Sequence, residues 1–287
     1  MLTARCHSNS RKGVVEGNKA YVSTVDIDME ENKDIQTIYE VIGSEGFSER
    51  TVTLINNLVN KIENGQADFE RFNQQEHAGL CKAGAPLIGA SVIARYATAS
   101  LTASSYAAGS QERPANWQID ELQEQLLEQW AKATQQWIDN SDNELQEIFG
   151  PMIAQGAEAK VYYTDGAPSV LKERASIYST TQKALDAIVL HNTLFPETPM
   201  NVIGFTRDSD GLFRIVLTQP YVNCMRLATK SEIDKMVAAK GFRDNGDGNG
   251  VNYISDRIAL EDMHPANVFI DETSGAPICI DCIVKFI

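Results

Sequence analysis

Near the end of the chain the sequence reads Asp262-Met263-His264-Pro265-Ala266-Asn267, then Val268-Phe269-Ile270, a turn through Ser274-Gly275-Ala276-Pro277, and Ile278-Cys279-Ile280-Asp281. Two apolar runs around such a turn predict a β-hairpin. A hairpin folds its ends together, so Asn267 and Asp281 are expected to converge. An amide oxygen and a carboxylate are hard donors suited to Mg²⁺. Asp262 lies five positions before Asn267 in a loop, where a carboxylate can orient an acceptor hydroxyl or take its proton.

Upstream, the chain changes periodicity at Gly150. Met152–Ala154, Val161–Tyr163 and Val170–Lys172 read as strands, separated by a small polar turn at Gln155–Ala159 and by Thr164-Asp165-Gly166-Ala167-Pro168. Ser176–Leu194 reads as a helix stopped by Pro196 and Pro199. Val202–Phe205 and Leu212–Leu217 are strands joined by a turn ending at Gly211. Thr229 and Glu232 are spaced as a capping box opening a short helix that Gly241 ends. This order supplies the remaining needs of phosphoryl transfer. Gly156 lets a turn approach phosphates, and Lys172, at the end of the third strand, neutralises their charge.

The segment D-x-H-P-x-N at Asp262–Asn267 resembles the catalytic loop of aminoglycoside phosphotransferases and related small-molecule kinases, and Ile280-Asp281 resembles their metal-binding Asp. Gln155–Tyr162 looks like a reduced glycine-rich loop. Together with His191-Asn192-x-Leu194-Phe195-Pro196, Val202–Phe205 and Gln219-Pro220-Tyr221, these residues resemble the polyvalent protein kinase domains of bacterial mobile elements, over about residues 145–287. The resemblance implies an α+β fold: a helical N-terminal region, then a compact protein-kinase-like domain with an antiparallel N-lobe sheet plus helix and an abbreviated C-lobe. The expected divisions are an irregular segment 1–33, a helical region 34–145 and a kinase-like domain 146–287. Within that domain the N-lobe is 150–217, the hinge 218–222 and the C-lobe 223–287.

The implied activity is an ATP- and Mg²⁺-dependent phosphotransferase. Asp262 and Lys172 are its catalytic residues. Gly156, Lys172, Gln219, Tyr221 and Asn267 bind nucleotide, and Asn267 and Asp281 hold the metal. The backbone of Thr218–Val222 is placed against adenine. The acceptor, a small molecule or a protein, is not specified, and AMP transfer uses the same parts. The family's setting implies a role in conflict between host and mobile element. There are departures. No Glu in the Ser176–Leu194 helix is available to pair with Lys172, which leaves Asp186 as the substitute. Cys282 follows Asp281 directly, and the six residues after Asp281 contain no activation segment or peptide-docking helices. A catalytically inactive nucleotide-binding or interaction scaffold is therefore the alternative, with a purely helical interaction module as a third reading.

Composition sets outer limits. The 287 residues are 43% hydrophobic and 22% charged, with 39 acidic against 25 basic residues and a net charge of −14. This is ordinary globular composition, and an acidic surface disfavours nucleic-acid binding through a basic face. Five cysteines, at 6, 81, 224, 279 and 282, are too few and too odd in number for a disulfide framework, which fits reduced thiols in the cytoplasm. Cys279 and Cys282 form a C-x-x-C in an apolar run. A zinc site needs two more ligands, and no second Cys or His pair is spaced to supply them. His191 reads as a packed, hydrogen-bonded histidine. The start of the chain lacks an apolar export core, and Pro86–Gly109 is too polar for a lipid span, so no membrane partner is expected.

Elsewhere, Thr51–Ile62, Ala67–Leu80, Pro86–Ala108 and Trp117–Ile138 read as helices. The last carries Ile119, Leu122, Leu126, Trp130 and Trp137 on one stripe. Asn245-x-Asp247-x-Asn249-Gly250 resembles the start of a calcium loop, but Asn252 and Asp256 stand where an apolar residue and Glu are required. A Gly/Asn-rich loop beside the cleft, able to act as a lid, is the better reading.

Overall fold

The computed structural model describes residues 85–107, 114–139, 141–156 and 158–287. The segment 1–33 and the helices expected at 51–62 and 67–80 lie outside them. The first described helix, α1 (Ala85–Ala107), places Ala90, Ile93, Ala94 and Ala97 on one buried stripe. Small side chains at steps of three and four let the next helix come close. That helix, α2 (Asn116–Ala133), buries Gln123, Leu127, Trp130 and Ala131. It ends earlier than the Trp stripe suggests. Gln135 has φ +59, the chain leaves the helix, and Trp137 pairs with Phe205 as an isolated β-bridge instead. A third helix, α3 (Ser141–Phe149), was not legible in the sequence.

Five antiparallel strands follow: β1 (Met152–Gln155), β2 (Ala159–Tyr162), β3 (Ser169–Ala175), β4 (Asn201–Arg207) and β5 (Phe213–Pro220). Their spatial order is β1-β2-β3-β5-β4. Helix α4 (Thr181–Leu194) is inserted between β3 and β4. Alternation along the strands gives the sheet two faces. One face carries Ile215 and Leu217, which pack with α1, α2 and α4 in a core around Trp130, Leu185 and Phe205. The other carries Tyr162, Leu171 and Val216, which pack with Leu145 of α3.

Helix α4 is fixed at its start by α2. The Asp120 carboxylate accepts hydrogen bonds from the Thr181 amide (2.5 Å) and hydroxyl (2.7 Å), and Gln123 accepts from the Gln182 amide at 3.0 Å. A carboxylate beside the open amides of a first turn is favourably placed in the helix dipole. Thr180 supplies the N-cap.

The C-terminal part is built from β6 (Cys224–Leu227), α5 (Lys230–Ala239), β7 (Arg243–Asp244), β8 (Tyr253–Ile254), β9 (Ile258–Glu261), β10 (Val268–Asp271), β11 (Pro277–Cys279) and β12 (Ile283–Phe286). They form two small antiparallel sheets, ordered β11-β10-β6 and β12-β9-β8-β7. Thr229 and Glu232 form the expected capping box on α5. Leu190, Phe195, Ile233, Leu260, Met263, Val268 and Val284 pack together as a second core. The mixture of helix and antiparallel sheet is the α+β architecture expected. Among the described residues no helix is long and apolar enough to cross a membrane.

Candidate active site

The β10–β11 hairpin forms where the sequence puts it, with Val268 opposite Cys279 and Ile270 opposite Pro277. Asn267 and Ile280 extend this pairing, since the Ile280 amide bonds to the Asn267 carbonyl at 2.9 Å. Asp281 is the next residue, so the two expected metal ligands sit at the same open end of the hairpin.

The loop before β10 is tightly wired. Asp262 has φ +62, a left-handed conformation that Asp tolerates better than most residues. Asn267 donates its side-chain amide to the Asp262 carbonyl (2.9 Å) and carboxylate (3.1 Å). His264 caps the short 3₁₀ turn Pro265–Asn267, with Nδ1 accepting from the Ala266 amide at 3.1 Å. Nδ1 is thereby an acceptor, so Nε2 carries the ring hydrogen, and it lies 3.4 Å from the Asp262 carboxylate. The Asp262 side chain is half exposed.

Lys172 is buried on β3 and donates to the Ile280 carbonyl at 3.0 Å, which brings its charge beside Asp281. Burial, together with Arg174, pushes the Lys172 ammonium below the usual lysine range, and Asp281 opposes this. Arg174 lies two residues along the same strand face, 3.5 Å from Asp281 and 4.0 Å from Glu158. Burial disfavours ionised Asp281, but Arg174, Lys172 and His191 outweigh it and hold the carboxyl below its ordinary value. Glu158 closes the group from the β1–β2 turn. Burial raises its carboxyl, Arg174 opposes this, and Asp281 and Asp262 add to the rise. Gly156 lies in that turn, its amide bonded to the Ala159 carbonyl at 2.8 Å.

Lys172, Asp262, Asn267 and Asp281 therefore belong to one constellation. Gln219 and Tyr221 are engaged otherwise. Gln219 is buried and gives its amide to the Thr198 carbonyl at 2.9 Å. The Tyr221 amide bonds to the Pro168 carbonyl, and its ring stacks on Tyr163 with centroids 4.4 Å apart. Asp186 does not pair with Lys172. It faces α1 and accepts from Arg95 at 3.0 Å, so the substitute partner expected from the sequence is corrected. A surface concavity lies elsewhere, among Gln146, Met152, Lys160, Asp208 and Arg214, and collects none of these groups.

Sequence reasoning missed three contributors. Arg174 was detectable as a second cation two positions beyond Lys172, and Glu158 as the carboxylate in the small polar turn. Asn252 was not detectable. Its side-chain oxygen accepts from the Asp262 amide at 3.2 Å, and the Met263 amide bonds to the Val251 carbonyl at 2.9 Å. The polar loop thus buttresses the Asp262 turn. Its own Asp247 is occupied by the Asn245 and Asn252 side-chain amides and by the Asn249 backbone amide.

The hard oxygens here fit a Mg²⁺ ion. Asn267 uses its amide nitrogen internally, and no described residue donates to its Oδ1. Asp281 receives the Cys282 amide and faces Arg174 through Oδ1, and Oδ2 accepts no hydrogen bond among the described residues. Two oxygens without a protein donor among the described residues, at one end of a hairpin, are of the kind a small hard cation takes.

The structure thus brings a strand lysine of the five-stranded sheet to the end of the β10–β11 hairpin, where an Asp-x-x-x-x-Asn turn and a second carboxylate stand. The family of serine/threonine/tyrosine kinases found in polyvalent proteins matches residues 120–287, and the chain belongs to that family. The match begins at Asp120, whose carboxylate accepts from the first amide of α4. No curated protein and no solved structure matches the chain.

Proposed function

We propose that this kinase-type protein transfers a phosphoryl group from ATP, with Mg²⁺, to an acceptor hydroxyl. The observation that carries the reading is that Lys172 reaches the Ile280 carbonyl beside Asp281, while Asn267, at the same end of the hairpin, is bonded to Asp262. Lys172 faces the phosphates as a fixed positive charge, held there by the Ile280 carbonyl. Asn267 and Asp281 would hold the metal, which when bound neutralises phosphate charge. Asp262 accepts the hydrogen bond of the attacking hydroxyl and takes its proton, oriented by His264 and by the Asn267 amide. Gly156 and Glu158 lie in the turn that would cover the phosphates.

A nucleotide-binding scaffold is the second reading. It is favoured by Lys172 having a backbone carbonyl rather than a helix carboxylate as its partner, and by Arg174 lying against Asp281.

The test is a labelled γ-phosphate assay on the full chain, run with thermal unfolding in ATP and Mg²⁺. A bound nucleotide raises the midpoint by mass action. Phosphotransfer requires that Asp262→Ala lower turnover by about a hundredfold or more while the midpoint shift survives. A shift with no turnover in wild type selects the scaffold. Full turnover in the variant removes Asp262 from the chemistry.

A further inference from the structure

Between α4 and the β11–β12 connection lies a buried cluster that phosphoryl transfer does not use. His191, Cys279 and Cys282 each present a ligand atom, and the three atoms lie within 4.8 Å of one another. All three residues are at most 5% exposed. The sequence offered the C-x-x-C without partners. The fold supplies one from α4, 88 residues before Cys279.

The imidazole is already oriented. Its Nε2 lies 3.0 Å from the Thr198 carbonyl. A carbonyl only accepts, so Nε2 carries the hydrogen, and in the neutral ring the lone pair falls on Nδ1. Nδ1 lies 3.8 Å from Cys282 Sγ. The Thr198 carbonyl is held in turn by the Gln219 amide at 2.9 Å, and the Thr198 hydroxyl bonds to the Cys279 carbonyl at 2.6 Å. Metal-bound histidines commonly give their second N–H to such a carbonyl. Met263, fully buried, places Sδ 3.9 Å from Cys279 Sγ.

The 3.8 Å from Nδ1 to Cys282 Sγ and the 3.9 Å from Cys279 Sγ to Met263 Sδ are close to the edges of a tetrahedral site. With Zn–S near 2.3 Å and Zn–N near 2.0 Å, tetrahedral edges are about 3.8 Å between sulfurs and about 3.5 Å between sulfur and nitrogen. We propose that His191 Nδ1, Cys279 Sγ and Cys282 Sγ form a zinc(II) site, with the Met263 thioether closing its fourth side. Soft sulfur donors select zinc or cuprous ion over magnesium or calcium. Zinc is favoured because two thiolates and a neutral imidazole balance its charge, whereas a cuprous ion would leave a net negative charge in a dry core. On binding, each thiol loses its proton to solvent and its sulfur lone pair goes to the metal. Ile280 and Asp281 lie between the two cysteine ligands, so the ion would fasten the Asp281 segment to α4. That consequence alone rests on the phosphotransfer reading.

The experiment uses the full chain, reduced, stripped with chelator and titrated with Zn(II), Co(II) and Cu(I) separately. One zinc per chain is expected, with a zinc-dependent rise in thermal midpoint. The Co(II) form should show thiolate-to-cobalt charge transfer and intense visible bands of a tetrahedral ion. His191→Ala and Cys282→Ser should weaken zinc binding at least a hundredfold, and Cys224→Ser should not. The wild-type cobalt spectrum reads thiolate ligation directly, whether or not a variant folds. Absence of the charge-transfer band in wild type, undiminished zinc in the His191 or Cys282 variant, or uptake of cuprous ion alone overturns the assignment.

Discussion

Removing Asp281 should expose how the charges around it are balanced. The Arg174 guanidinium lies 3.5 Å from the Asp281 carboxylate, with side chains 12% and 21% exposed. At an effective dielectric near 20, that separation is worth about 5 kcal/mol of attraction. Desolvation of both ions offsets part of it, and the partial exposure of Asp281 offsets more. Taking away one partner still strands the other. Asp281→Ala leaves Lys172 and Arg174 as buried neighbouring cations, with Glu158 at 4.0 Å as the remaining counter-ion. The expected cost is about 3 kcal/mol, the low end for breaking a buried pair. Arg174→Met should cost a similar amount. The double variant should cost less than the two singles together by about 2 kcal/mol. Urea unfolding at constant slope reads all four corners of this cycle. Additivity within about 0.5 kcal/mol would show that Arg174 and Asp281 do not interact, and the electrostatic account of the cleft would fail with it.

Gly204→Ala would bring a Cβ to 2.6 Å from the Gln136 carbonyl oxygen, a backbone atom that cannot swing aside. A loss of about 1–3 kcal/mol in chemical unfolding is expected. Thr229→Ala removes the acceptor for the Glu232 amide at the start of α5 and should cost about 1 kcal/mol, read by the same method. Asp208 carries the acid-sensitivity prediction. Burial opposes its ionisation, but hydrogen bonds from Arg214 at 2.5 and 2.8 Å and from the Leu212 amide hold its carboxyl below the ordinary value. Its stabilisation is present above the unfolded aspartate pKa near 4 and is lost as pH falls through the lower folded value. Asp208→Asn should therefore lower stability at neutral pH and flatten its decline between about pH 5 and 2, as followed by circular dichroism.

The legible parts of this fold were those set by local chemistry. Strand alternation, the Ser274–Pro277 turn and the Thr229–Glu232 box each depend on neighbours within a few residues, and each appears where the sequence puts it. The Asp262–Asn267 spacing was legible for the same reason, since the turn that joins them is built from its own side chains. Long-range choices were hidden. Asp186 looked free to serve Lys172 because a sequence does not show which face of α4 meets α1. Asn252 was read as part of a polar loop because nothing local announces that its oxygen will receive the Asp262 amide. Gln219 was placed with the nucleotide, yet the fold turns it inward to Thr198. His191 reads as a packed histidine, and it is one, but nothing local to it announces that Cys279 and Cys282 pack beside it.

The fastening of α4 decides how this chain divides. Its first amides are satisfied by Asp120 and Gln123, and its buried carboxylate at Asp186 is matched by Arg95. A piece beginning at residue 146 would keep Lys172, Asp262, Asn267 and Asp281 yet lose the acceptors and the cation that keep α4 seated on the sheet. It would also bare the Leu185, Ile188 and Phe205 surface that Leu127 and Trp130 cover. Helices α1 and α2 are therefore an inseparable outer wall of the five-stranded sheet, and the smallest self-sufficient part of this protein reaches back across them, well before the first strand.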